Sequence, residues 1–232
     1  MQKLPELSVF FPAYNEQANI ENTVLSAVAV CEKLTNKYEI IIVNDGSADN
    51  TLIIANKLAF NNSNISVISH NPNIGYGGAL KSGIYKAKYD YIAFTDSDGQ
   101  FDFSQLSSFI PYLNDYPVVI GYRKHRVEGV LRKLNAKGLK FAALILFHLK
   151  FKDIDCAFKV FKKSVIDTIP RLSSDGALIS TEFLYKVKKA NIKIKEIPVN
   201  HYPRAGGKPT GANFKVLKKA FIELLTLWIN LR

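Results

Sequence analysis

Four times in the first hundred residues a short run rich in Val, Ile, Phe and Tyr stops on a cluster of polar residues, and the first three clusters each open a stretch with helical spacing. Runs of this length and residue type are strands, and strands that alternate with helices make βαβ units and a parallel, doubly wound sheet. The expected strands are Leu7–Phe11, Glu39–Val43, Ile65–Ser69 and Tyr91–Phe94. Helices are expected from Asn19 to about Leu34, where Ile20, Val24, Ala27, Val28, Cys31 and Leu34 share a face, from about Thr51 to Phe60, and from the glycine-rich loop through Ala87. Such a sheet binds its ligands outside the carboxyl ends of its strands, where all four polar clusters fall.

The fourth cluster carries the most chemistry. After Tyr91–Phe94 the chain reads Thr-Asp-Ser-Asp-Gly-Gln, with Asp96 and Asp98 separated by Ser97, Gly99 suited to a sharp turn, and Gln100 able to turn back an amide oxygen. Two carboxylates at a strand end suit Mg²⁺ or Mn²⁺, hard cations that fill their remaining positions with water and substrate phosphate. The plainer alternative is an Asx-type turn that caps the next helix.

Composition bounds the rest. At 232 residues and 47% hydrophobic content the chain buries a proper core. The first sixteen residues lack the apolar region of a secretory signal, the longest apolar run, Phe141–Phe147, falls far short of a bilayer span, and Cys31 and Cys156 stand alone, as in a reducing compartment. The net charge of +11 is lopsided: residues 1–120 hold seven Lys or Arg against twelve Asp or Glu, and residues 121–232 hold 24 against eight. A basic half points to an anionic partner: nucleic acid, an anionic membrane surface or a phosphorylated substrate. The basic stretches lack the interleaved aromatics of a nucleic-acid surface, which also leaves the acidic crevice unexplained. Gly75–Gly78 partly matches a dinucleotide fingerprint, but Leu80 stands where the third glycine belongs and the loop comes after the third strand. A nucleotidyltransferase, which also needs paired carboxylates, stays open.

Taken together, Pro12–Glu16 (PAYNE), Val43–Ser47 (VNDGS), Asn73–Gly83 (NIGYGGALKSG), Thr95–Gln100 (TDSDGQ), Gly121–Arg123 (GYR), Asp153–Val165 and Glu196–Gly211 resemble, in order, the motifs of family 2 glycosyltransferases with the GT-A fold. More narrowly they are similar to the dolichol-phosphate mannose synthase and polyprenyl-phosphate glycosyltransferase branch. The resemblance implies an α/β GT-A catalytic domain over 1–212 and an amphipathic helix over 213–232 for membrane-surface or oligomer contact. It assigns Pro12, Tyr14, Glu16, Asp45, Gly75, Lys81, Asp96 and Lys208 to the nucleotide-sugar, with Asp45 at the base. Asp96, Asp98 and Gln100 match the metal set. Asp98, Arg123, Asp155 and Arg204 match catalytic positions, and Arg204–Gly211 resembles a mobile segment that closes over the donor. Asn44 replaces an acid usual in the family.

The acceptor separates two readings. A phosphate monoester is ionised near neutral pH and needs no general base, whereas a hydroxyl acceptor needs one, for which Glu182 and Asp155 are the candidates. Arg123, Arg126 and Arg132 are suited to a polyprenyl phosphate, and the apolar Leu139–Phe151, edged by Lys140, Lys150 and Lys152, suits either a helix in the membrane interface or one buried in the fold. Phe214–Leu231 has the same character, with Phe221, Leu224, Leu225 and Trp228 available for an apolar face. The expectation is an inverting hexosyl transfer from a UDP- or GDP-sugar at the cytoplasmic membrane face, by a peripheral protein with a homo-oligomer contact or a separate membrane subunit as further partners. His201, after the strand Ile194–Val199, is a candidate for the metal or diphosphate, or a structural histidine.

Overall fold

The computed structural model describes residues 3–124, 144–206 and 223–229. Its elements run β1 (Leu7–Ala13), α1 (Ile20–Leu34), β2 (Tyr38–Asp45), α2 (Thr51–Asn61), β3 (Ile65–His70), α3 (Tyr76–Lys86), β4 (Tyr91–Phe94), two 3-10 turns at Phe103–Ser108 and Ile110–Tyr112, β5 (Val118–Arg123), β6 (Lys159–Lys162), α4 (Lys163–Thr168), α5 (Ile179–Lys189) and β7 (Ile194–Val199). The expected elements of the first hundred residues are all present, displaced by a residue or two at their ends.

The seven strands lie in the order β3-β2-β1-β4-β6-β5-β7. β1 to β4 pair in parallel, β7 pairs in parallel with β5, and β6 runs antiparallel between β4 and β5. The reversal gives β6 a particular use. Phe94, the last residue of β4, stands opposite Lys159, the first of β6, so the chain entering β6 arrives at the ligand-binding edge that β4 leaves.

β1 is buried along its whole length and β2 along all but its first residue, because helices cover both faces of a parallel sheet. On α1 the buried residues include Ile20, Val24, Ala27, Cys31 and Leu34, the face that the spacing predicts. Past β4 the core becomes aromatic. Phe158 stacks on Phe103 at 5.7 Å and on Phe109 at 4.6 Å, and Phe101 meets it edge-on at 6.0 Å. At roughly 1.5–3 kcal/mol for each ring buried, this cluster anchors both ends of the crevice: the segment after β4 and the residue before β6.

Of the two expected amphipathic segments, 144–147 and 223–229 are described and helical. Leu224 and Leu227 are buried against the core and Trp228 packs on it, while Leu225 and Ile229 face outward. Part of the apolar face expected on Phe214–Leu231 is thus occupied by the body of the protein. Among the described residues no helix is long and apolar enough to cross a membrane.

Candidate active site

The turn after β4 is fastened from behind. Ser97 Oγ donates to Pro12 O at 2.7 Å, Thr23 Oγ1 donates to Ser97 O at 3.3 Å, and Gly99 adopts a φ of 74°, in the left-handed region that glycine enters without strain. Asp98 Oδ1 accepts from the Gln100 backbone amide at 3.0 Å. Asp96 Oδ1 accepts from the Tyr76 hydroxyl at 3.0 Å, so Tyr76, which lies within the Asn73–Gly83 motif but has no role assigned from the sequence, closes one side of the site. Burial first and the Asp98 charge second push the Asp96 carboxyl up to about 6, against the Tyr76 hydrogen bond and the fields of Arg123 and Lys159. A buried carboxyl with a second carboxylate beside it is a place where a cation would be favoured.

The donor set fits Mg²⁺ or Mn²⁺. Asp96 and Asp98 are the two carboxylates that such a cation would take beside substrate phosphates, and among the described residues no group of three His, Cys, Asp or Glu side chains is gathered at one point. Gln100, the third member of the expected metal set, donates its Nε2 to Tyr202 O at 3.0 Å, a contact that does not engage the amide oxygen expected to meet the cation.

Asp45 ends β2 as a buried receiver. Its Oδ1 accepts from Ile74 N at 3.0 Å and meets His70 Nδ1 at 2.8 Å, and its Oδ2 accepts from Gly75 N at 3.0 Å. It therefore shapes the glycine-rich loop from below, while Asn44 Nδ2 donates to Ser69 Oγ at 3.0 Å. Past this point Asp175 O accepts from Gly77 N at 2.8 Å. A Cβ on Gly75, whose φ is 92°, would lie 2.5 Å from that same oxygen. The glycine here permits backbone to press on backbone, and the loop amides are taken up by Asp45 and Asp175. Lys81 joins the same contact, donating to Asp175 Oδ1 at 2.6 Å and to Ser173 O at 3.1 Å.

On the other side of the turn, residues 200–206 lie extended over the crevice wall. Gln105 Oε1 receives Asn200 N at 2.7 Å and Gln100 O receives Tyr202 N at 2.9 Å. Arg204 then reaches the carboxylates: Nη2 bonds Glu16 Oε1, Nη1 lies 3.5 Å from Asp98 Oδ2, and Nε donates to Gly206 O at 2.8 Å. Burial raises the Glu16 carboxyl above its ordinary value despite Asn19 and Arg204. Pro12 contributes a backbone carbonyl to the turn, and Tyr14, 40% exposed, stands at the mouth.

The third wall is made of buried ion pairs. Arg123, at the end of β5, is clamped by Asp153 through Nε to Oδ2 at 2.7 Å and Nη2 to Oδ1 at 2.9 Å. Lys159 is fully buried, bonded to Cys156 O, Ile154 O and Ser180 Oγ, and its ammonium is pushed down by burial. It holds the entry loop 153–158 by its carbonyls. Asp155 on that loop is exposed. Glu182, the hydroxyl-acceptor base candidate, is wholly buried: it binds Lys186 Nζ at 2.5 Å, Ser173 N and Oγ at 2.9 Å each and Ser174 N at 2.7 Å. His201 packs edge-on against Phe101 at 5.0 Å. Arg126, Arg132 and Lys208 lie outside the described residues.

Three walls of different chemistry thus meet at the Asp96–Asp98 turn. A family model described as Glycosyl transferase family 2 matches residues 8–169. The chain belongs to this family. It is 30% identical to a dolichyl-phosphate beta-glucosyltransferase of Dictyostelium discoideum, over 96% of this chain and 76% of that protein, and 31% identical to one of Saccharomyces cerevisiae, over 87% and 68%. A dodecaprenyl-phosphate galacturonate synthase of Rhizobium johnstonii is 27% identical over 87% of this chain and 60% of that protein. Among solved structures, glucosyl-3-phosphoglycerate synthase of Mycobacterium tuberculosis, in complex with Mn²⁺, UDP and glucosyl-3-phosphoglycerate, superposes with a TM-score of 0.73 at 20% identity, covering 96% of this chain and 80% of that one. This family 2 glycosyltransferase therefore has the fold that the strand pattern and the motifs predict.

Proposed function

We propose that the chain transfers a hexose from a UDP- or GDP-sugar to a polyprenyl phosphate, with inversion at the anomeric carbon. One observation carries the reading: Asp98, of the Asp96–Asp98 turn, has the Arg204 guanidinium 3.5 Å away, and a second guanidinium, Arg123, is fixed on the β5 side. The similarity to dolichyl-phosphate beta-glucosyltransferases over most of the chain supports the same acceptor class.

In the reaction an acceptor phosphate oxygen attacks the anomeric carbon, and the bond to the donor diphosphate breaks with its electron pair passing to the diphosphate. Asp96 and Asp98 would hold a divalent cation, which would supply Lewis-acid neutralisation of that charge. Arg204 adds a fixed positive charge where it develops. Arg123, oriented by Asp153, is on the side where the phosphate acceptor is expected. No proton has to leave that acceptor, and Glu182 is locked to Lys186 and to residues 173–174, consistent with a reaction that does not call on it. Peripheral attachment to an anionic membrane surface is supported by the basic second half and by Leu225 and Ile229, which are 42% and 67% exposed.

The test is product analysis with Mn²⁺ or Mg²⁺, a panel of UDP- and GDP-sugars, and a short polyprenyl phosphate beside the free polyprenol. A lipid-linked sugar phosphate formed only from the phosphorylated acceptor is the expected result. Equal consumption of donor with the alcohol overturns it and returns the role of base to Asp155.

A further inference from the structure

Residues 200, 202, 204 and 206 each dock on the crevice wall by hydrogen bonds or ion pairs. Asn200 exchanges two hydrogen bonds with the Gln105 side chain. Tyr202 exchanges two with Gln100. Arg204 takes Glu16 and Asp98, and Gly206 O accepts from Asn19 Nδ2 at 3.1 Å and from Arg204 Nε. Register along this strap is therefore fixed on both sides of Arg204, and its guanidinium is delivered to one place.

That place contains two carboxylates of unequal use. Asp98 belongs to the turn that fits the divalent cation; Glu16 does not, since its Oε1 bonds Arg204 and its Oε2 accepts from Asn19 Nδ2 at 2.8 Å. The Arg204–Glu16 contact is the tighter one, and the Arg204–Asp98 separation of 3.5 Å is an ion pair without a good hydrogen bond. Asn19 clips Glu16 and Gly206 with a single amide nitrogen, so the carboxylate and the strap are held as one unit.

We propose that Arg204 and the divalent cation compete for Asp98, and that Glu16, set by Asn19, is the built second berth that keeps the guanidinium beside the site while the cation holds Asp98. Arg204 then weakens cation binding taken alone and strengthens the subsequent binding of the nucleoside diphosphate, so the site favours the cation and the diphosphate together over the cation by itself. Asn19 and Glu16 are positioning residues that act through Arg204. This rests on the two-carboxylate cation site described above.

The experiment measures Mn²⁺ binding to the purified protein by titration, first without nucleotide, then UDP and GDP binding at saturating Mn²⁺. In Arg204→Ala the Mn²⁺ affinity is expected to rise about three- to fivefold, the worth of a partly buried ion pair, while diphosphate affinity falls about tenfold or more, the worth of a charged hydrogen bond. Opposite signs are the signature, because a residue that merely supports the fold would weaken both. In Glu16→Gln the guanidinium is left to Asp98 and Mn²⁺ affinity falls; in the double variant with Arg204→Ala that fall becomes smaller, as a coupled pair requires. Mn²⁺ affinity unchanged or reduced in Arg204→Ala overturns the proposal. Asp98→Ala serves as the separate control: Mn²⁺ binding retained there removes the cation site itself, a failure distinct from that of Arg204. Thermal melting of each variant confirms that the compared proteins are folded.

Discussion

The two sides of the crevice hold their charges by different means. On the β1–β4 side, Asp45 is received by the amides of Ile74 and Gly75, Asp98 by the amide of Gln100 and Asp96 by the Tyr76 hydroxyl, and the guanidinium that reaches Glu16 and Asp98 comes from Arg204, beyond β7. On the β5–β7 side carboxylates are matched with cations: Asp153 with Arg123, Glu182 with Lys186. A carboxylate held by neutral donors keeps its charge available to a ligand, whereas one buried with its own counter-ion, as Glu182 is with Lys186, holds its neighbours in place. The same residue type therefore serves binding on one side and architecture on the other.

The largest effect should come from Asp98→Ala, which is expected to lower kcat/KM about a thousandfold or more, since several kcal/mol of charge stabilisation is lost, while the melting temperature stays within a few degrees of the parent. Steady-state kinetics and calorimetry read the two halves of that statement, and a collapse of the fold would erase the distinction between the sides. Lys186→Met should do the reverse. It strands the Glu182 carboxylate in the core and is expected to cost about 3–5 kcal/mol in urea unfolding.

Acid offers a subtler probe of the same pair. Burial alone would raise the Glu182 carboxyl, but the Lys186 ammonium and the hydrogen bonds from residues 174 and 173 outweigh it and hold it below its ordinary 4.5. The folded pKa being the lower one, this stabilisation is fully present above about pH 4.5 and is lost as pH falls through the folded value. Unfolding free energy measured between pH 6 and pH 3 should thus decline less steeply in Glu182→Gln; equal slopes in both proteins would discount the pair. The smallest effect is expected from Lys81→Ala. Its ammonium pairs with a well-exposed Asp175, so about 1 kcal/mol of stability or less is at stake, and the donor KM should change less than about twofold. A donor KM raised tenfold would return Lys81 to the nucleotide-sugar, where the motif resemblance assigns it.

Legibility in the sequence divides along the same line. β1 to β4 and their polar ends announce themselves because each is a local pattern: a β-branched run, a break, a helical period. Asp45, Asp96 and Asp98 therefore fall at one edge on pattern alone. The β5–β7 side depends on pairs far apart in the chain, such as Arg204 with Glu16 and Arg123 with Asp153, and nothing in the spacing of single residues encodes such meetings. Lys159 lies inside the Asp153–Val165 motif with no role assigned from the sequence, though it sits in the core. Gly75 reads as the lining of a donor loop, and its close approach to Asp175 depends on a backbone a hundred residues away. Tyr76 and Asn19 do leave a trace: a lone phenol among glycines, and an amide three residues after Glu16 at the mouth of a helix.

The reversed strand β6 has one more consequence, for how such an enzyme can change over time. Because β6 enters at the edge where β4 leaves, the loop 153–158 is a cassette set beside the cation turn yet joined to it by no short stretch of chain. Lys159 grips that loop through the carbonyls of Ile154 and Cys156, which every amino acid provides. Of the side chains on that loop Asp155 is the exposed one, so position 155 can change without disturbing the core while the backbone grip on the loop stays the same.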